Sequence, residues 1–220
     1  MIFAETMKNT LHTIGQGLLV PAIVVLILLI IISIASLGSI IAELFTERRK
    51  KENIPELISN LHGKHLEDMK EIIQKSGILK RQKLLLIELL KYTHMPQEEL
   101  HAIAKKLITT EEEHYEKILG ITELVARVGP MFGLIGTLIP LGPGIVALGQ
   151  GDTKTLSDSM LVAFDTTIAG LISAAVCFII SKIRRRWYDA YMVSMESLMD
   201  CILEEVHRNE QKHSRSQFAV

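Results

Sequence analysis

"SMLVAFDTTIAGLISAAVCFIISK", residues Ser159 to Lys182, has the length and apolar content of a membrane span, with one residue out of place. A helix rises about 1.5 Å per residue, so this run covers a hydrocarbon core of about 30 Å. Yet Asp165 lies about two turns inside its N-terminal end, beside Thr166 and Thr167. An ionised carboxylate in hydrocarbon costs at least about 3 kcal/mol and therefore turns toward a bundle interior or a watered path. The role of that carboxylate is the question the rest of the chain must answer.

Two further runs share this character. No charged residue lies between His12 and Glu43, where Leu18 to Leu37 is almost wholly aliphatic, and none lies between Arg127 and Asp152. The chain is 48% hydrophobic but only 5% aromatic, so Ile, Leu, Val and Ala are gathered into three blocks. A soluble protein would spread them. The first block is too long for a signal peptide, lacks a basic n-region and is not followed by a small-x-small cleavage site, which makes it a retained anchor. Cys177 and Cys201 form neither a disulfide framework nor a metal-ligand spacing.

Positive charge sets the expected topology. Arg48, Arg49, Lys50 and Lys51 follow the first run, and Lys182, Arg184, Arg185 and Arg186 follow the third. Both clusters are expected on the cytoplasmic side, in contact with lipid head groups. The sequence thus divides into an external N-terminus (1–13), a first span (14–42), a cytoplasmic helical region (43–126), a second span (127–149), an external loop (150–158), a third span (159–182), and a cytoplasmic C-terminal helix and tail (183–220). Localisation in the cell membrane, multi-pass, follows. Trp187 and Tyr188 suit either an interfacial anchor or packing within the tail.

In the cytoplasmic part, Ile54-Pro55 and Met95-Pro96 open helical segments. Leu100, Ile103, Ala104, Leu107, Ile108, Tyr115, Ile118 and Leu119 recur at near-helical spacing, and so do Tyr188, Tyr191, Met192, Met195, Leu198, Met199, Ile202 and Val206. These two stripes are expected to pack together, with a frayed tail from Asn209. His62, His65, His94, His101 and His114 are scattered without metal-ligand partners, so no metal site is expected. "GLIGTLIPLGPG" lacks the lysine of a phosphate loop and reads as a membrane packing motif. Neither an enzyme nor a nucleic-acid surface is indicated, and no cofactor is expected.

Placed at 100° per residue, Phe178, Leu171, Ile168, Ile179 and Ile172 share one side of the third span. Asp165, Thr166, Thr167, Ala169, Gly170, Ser173, Ala174, Cys177 and Ser181 gather on the other. Small and hydroxylated residues let helix backbones approach in lipid, so this half is expected to face protein or a pore. The second span repeats the theme with Gly129, Gly133 and Thr137 four residues apart, and with Gly136, Pro140, Pro143 and Gly144 nearby. Proline removes a backbone donor and frees the carbonyl one turn earlier, which Thr137 is placed to satisfy. The bland reading, close helix packing alone, accounts for the glycines but not for Asp165.

"VGPMFGLIGTLIPLG" (Val128 to Gly142) followed by "VAFDTTIAGLISAAV" (Val162 to Val176) resembles the two pore helices of the MotA/TolQ/ExbB proton-channel family. The likeness covers roughly residues 115–200 and is closest to the three-span TolQ and ExbB type. It implies an all-α membrane protein: three transmembrane helices with long cytoplasmic helical extensions, assembling as a pentamer around two copies of a single-span partner like TolR, ExbD or MotB. The partner's membrane aspartate would exchange the ion, H⁺ or Na⁺. By position, Thr137 and Thr167 match the family's pore-lining threonines, and Pro130 matches the proline that opens the pore segment. Asp165, Thr166 and Ser173 are expected to accompany them along the ion path, while Gly129, Gly133, Gly136, Gly170, Pro140 and Pro143 shape it. Pro140, Pro143 and Asp165 depart from the ExbB-like pattern.

The implied function is an ion-conducting stator subunit that turns a membrane ion gradient into mechanical work on a partner. Asp165 would be a relay, a counter-charge or an inter-subunit bond. The competing class is a non-conducting scaffold that recruits a cytoplasmic partner through residues 54–119. A small transporter is disfavoured, because three spans without inverted repeats leave little room for a substrate site.

Overall fold

Every element is a helix, for reasons local to each. The computed structural model describes residues 2–47 and 53–217, and no strand occurs among them. The basic run Arg48 to Lys51 lies outside the described residues. In order, the elements are α1 (Ile2–Gly17), α2 (Leu19–Glu47), α3 (Ile54–Leu61), α4 (Leu66–Lys75), α5 (Lys80–Lys91), α6 (Gln97–Gly149) and α7 (Thr153–Gln217). Only Leu18 separates α1 from α2, and its amide still reaches Ile14 O and Gly15 O at 3.1 Å. The interruption falls where Pro21, in the first turn of α2, removes the donor that Gly17 O would need. Stretches within α2, α6 and α7 are long and apolar enough to cross a membrane. Residues 153–158, expected as loop, are helical, and so is the expected frayed tail as far as Gln217.

The chain divides into two compact units. The first comprises residues 1–40 and 119–184. Here α2 presents Ala22, Leu26, Leu29, Ser33 and Ile40 as a buried stripe at spacings of four, three, four and seven, the pattern of a helix packed along one side. Leu29 closes on Val125 of α6 and Cys177 of α7, flanked by Val25, Ile32, Ala126 and Val128. Ser33 on the same stripe is buried as well. Arg184, expected at lipid head groups, is instead buried, and its Nη2 donates to Ser39 Oγ at 2.7 Å.

The second unit comprises residues 41–118 and 185–220. The stretch 54–94 folds as three short helices rather than one long segment, turning at Gly63 and again after Ser76. The Ser76 amide bonds Ile72 O and its hydroxyl bonds Ile73 O, closing α4. Leu57, Leu61, Met69, Ile73, Leu86 and Leu89 from these helices bury themselves against Leu100 and Ala104 of α6 and Met195, Leu198, Met199 and Ile202 of α7. Several polar groups within this core find partners, while Glu205 Oε2 is buried without one among the described residues. Gln82 Nε2 donates to Tyr191 O at 3.1 Å, and Arg81 pairs with the buried Glu111. Glu205 is 1% exposed and takes Arg208 Nη1 at 2.9 Å and His62 Nδ1 at 3.1 Å on the same oxygen. Tyr188 is buried, stacked on Tyr115 with ring centroids 4.3 Å apart, and its hydroxyl donates to Glu43 at 3.2 Å. Of the two roles open to Tyr188, the packing role is the one observed.

Candidate functional site: the seam and flanks of the α6–α7 hairpin

The turn that joins α6 to α7 fixes their antiparallel pairing. Gln150 N bonds Ala147 O, Gly151 N bonds Leu148 O and Asp152 N returns to Ala147 O at 2.9 Å. Gly151 sits at φ +79°, a conformation that favours glycine. Asp152 then caps α7, accepting from Thr155 N at 3.1 Å and from the Thr155 hydroxyl. These two bonds from Thr155, the hydroxyl first, hold the Asp152 carboxyl below its ordinary range.

From that turn the two helices run together along a seam of small residues. A methyl group added at Gly144 would lie 3.1 Å from Ser159 Cβ; at Gly136 it would lie 2.6 Å from Thr166 Cβ; at Gly133 it would lie 3.4 Å from Thr166 O and from Thr167 Cα. At Gly129 it would come within 2.8 Å of Gly170 O, and at Gly170 within 2.5 Å of Gly129 O. The backbones therefore touch at Gly129, Gly133 and Gly170, closer than any side chain allows. Thr166 is buried in this seam, and its hydroxyl donates back to its own helix at Val162 O (2.9 Å) and Ala163 O (3.0 Å).

Helix handedness places the remaining polar residues. Thr137 follows Gly136 by one position and Thr167 follows Thr166 by one. In two antiparallel right-handed helices, a step of about 100° forward from the seam moves both to the same flank of the hairpin. Asp165 precedes Thr166, so the same rotation carries it to the opposite flank. Ser173, one before Ala174, shares that second flank. Burial agrees. Ser173 is 2% exposed with its hydroxyl on Ala169 O, and the α2 contacts Val128 and Cys177 are also rotated backward from the seam. Thus α2 covers the Asp165 flank near Cys177, about 18 Å along the helix from Asp165. Asp165 itself is exposed, and so are Pro130 and Leu134 on the threonine flank.

The threonine flank has a defined chemistry. Thr137 donates its hydroxyl proton to Leu134 O at 2.7 Å, and Thr167 donates to Ala163 O at 3.1 Å. With their protons committed, both oxygens offer lone pairs outward, an arrangement suited to a hydrated cation or a donor on a facing helix. The carbonyls deprived of donors by Pro140 and Pro143 are those of Gly136 and Ile139. The Thr137 hydroxyl therefore does not satisfy them, contrary to the sequence expectation. Pro140 is buried, Pro143 half-buried and Pro130 exposed.

Residues 64–197, more than half of the chain, match the sequence model of the MotA/TolQ/ExbB proton channel family. The chain belongs to this family. A "putative biopolymer transport protein ExbB homolog" of Methanothermobacter thermautotrophicus is similar to it, 30% identical over 115 residues. That alignment takes in 52% of this chain and 40% of the relative, so the chain spans two fifths of the relative's length. The MotA/TolQ/ExbB match includes the whole seam, both flanks and the turn, and stops short of α1, α2 and α3. Gly144 with Ser159, and Ala174 against Gly129, complete the seam but were not singled out as site residues from the sequence. Their signal was the continuation of small residues at three- and four-residue steps.

Proposed function

We propose that this chain is the ion-conducting subunit of a MotA/TolQ/ExbB-type motor in the cell membrane, with its N-terminus external and its C-terminus cytoplasmic. Five copies surround two copies of a single-span partner like TolR, ExbD or MotB, and passage of H⁺ or Na⁺ drives mechanical work on that partner. The observation that carries this reading is the shared flank of Thr137 and Thr167, with two acceptor oxygens on one side of a tightly sewn hairpin. Turned toward a central helix, this flank lines the path past the partner's acidic group. The exposed Leu134, Leu138 and Leu171 supply apolar surface for that helix and for neighbouring copies.

Asp165 then takes a different role from the threonines. Lying on the opposite flank, it is a hydrogen-bonding or counter-charge residue outside the ion path rather than a relay within it. Proton and sodium uptake by proteoliposomes holding the complex with its partner tests the reading, alongside native mass spectrometry of the same sample. Thr137→Val and Thr167→Val should each lower flux by about tenfold or more, since each removes an oxygen ligand from a narrow path. Asp165→Asn should leave flux within about twofold. Background flux in the wild-type complex, or a stoichiometry other than five to two, would refute the motor and favour a scaffold.

A further inference from the structure

The outer part of α6, from Gly136 to Gly144, is continuous helix but carries more helix-weakening residues than packing explains. Gly129, Gly133, Gly136 and Gly144 each have a neighbour on α7 that a side chain would crowd. Gly142 has none: it is exposed, and an added methyl group meets nothing within 4 Å. A glycine inside a helix without a packing reason lowers its stability and frees its backbone. It sits between Pro140 and Pro143, which deprive Gly136 O and Ile139 O of their helical donors. Two missing rungs and an uncrowded glycine thus fall within nine residues. The facing part of α7, from Thr153 to Ala169, contains neither glycine nor proline. Pro130 removes a third donor nearer the middle of α6, but only the outer stretch combines two prolines with an uncrowded glycine.

We infer that Gly136 to Gly144 is a hinge, on which the outer end of α6 bends against α7 and so controls access to the Thr137–Thr167 flank. Within it the pivot lies between Pro140 and Gly144, directly beyond Thr137, whose hydroxyl bonds back to Leu134 O. The gating role rests on the ion-conducting function proposed above, whereas the bending does not. On bending, the contact of Gly144 with Ser159 is the one that opens, while those of Gly129 and Gly133 with Gly170 hold.

Hydrogen exchange of the full-length complex with its partner in nanodiscs, read by mass spectrometry over 141–151, tests the bending. Flux into proteoliposomes tests the control. Gly142→Ala adds a methyl group in open space and should slow exchange across this stretch about fivefold. Pro143→Ala, which restores a donor to Ile139 O, should act in the same direction. Both should lower ion flux while native mass spectrometry shows unchanged assembly. Unaltered exchange in both variants would overturn the hinge. Slowed exchange with wild-type flux would overturn its control of access. A wild-type complex without flux would defeat the conducting function and the gate with it, and the exchange comparison would still decide whether the helix bends.

Discussion

Replacing Gly170 by alanine tests the seam at its tightest point. The added carbon would sit 2.5 Å from Gly129 O, 3.0 Å from Gly133 Cα and 3.2 Å from Gly133 N, all backbone atoms that cannot rotate aside. Ordinary carbon contacts need about 3.5 Å or more, so the helices must part locally by about 1 Å. Separation on that scale forfeits a substantial fraction of the contact energy along the seam, and overpacking of this kind costs about 1–3 kcal/mol. Gly133→Ala, whose nearest contacts would be 3.4 Å, should cost well under half as much. Gly120→Ala, with nothing within 4 Å, should be neutral or gain up to about 1 kcal/mol. Reversible unfolding in mixed micelles, followed by the fraction of folded protein, ranks the three. Gly129→Ala combined with Gly170→Ala should cost less than the two singles added together, because the first already parts the helices. A Gly170→Ala protein as stable as Gly120→Ala, or strict additivity of the pair, would refute direct backbone contact.

Further outcomes follow from the polar groups. Arg208→Gln removes the guanidinium from the buried Glu205 and leaves His62 as its remaining partner among the contacts described, so hydrogen exchange in α3 should accelerate, consistent with a loss of about 2 kcal/mol. The Cys201 thiol is raised above its ordinary range by burial first, then by Glu205 and Glu204. It should therefore resist alkylation near neutral pH until denaturant opens the second unit, and rapid labelling of native protein would contradict its placement. Asp152, whose carboxyl is lowered by Thr155, strengthens the α7 cap at neutral pH. Because the folded value lies below the unfolded one, this contribution is complete above the unfolded value and disappears as pH falls through the folded one. Asp152→Asn should remove that acid dependence, measured as exchange of the Thr155 amide against pH.

Membership of the helical, membrane-spanning class was legible in three charge-free blocks, and the glycine spacing at 129 and 133 pointed to close approach. The side of Asp165 was not legible, for a geometric reason. A helical wheel groups Asp165, Thr166, Thr167 and Ser173 into one small, polar half of α7, but the line of contact with α6 runs through the middle of that half. Residues one step before and one step after Thr166 therefore belong to the same half of the wheel and to opposite flanks of the hairpin. Only the partners of Gly136 and Gly133 reveal where that line falls. The same limit applies to Glu205. Its place in the sequence, beside Glu204 in a polar helix end, suggests solvent, whereas its burial depends on Arg208 and on His62 from a distant helix end. Arg184 is a third case: a cationic run after a span marks topology by composition, and composition does not reveal that one member turns inward to Ser39.

The seam also constrains how the hairpin can move. Gly170 meets Gly129 O and the Gly133 backbone so closely that sliding one helix by a residue, about 1.5 Å, would drive backbone atoms together. Around this contact α6 and α7 behave as one body, with Val125 and Cys177 joining α2 to it. Rigid packing of this kind favours discrete rearrangements at its edges over continuous shear within it. Pro130 lies within this tight contact, whereas Pro140 and Pro143 fall together toward the outer end of α6, beyond Thr137. The opposite demand falls on Thr137 and Thr167, whose hydroxyls must keep a fixed separation if they are to act on one ion together. In the proposed motor, placing both beside the tight seam, with Pro140 and Pro143 farther out, would let the hairpin hold an ion's ligands still while the outer end of α6 moves.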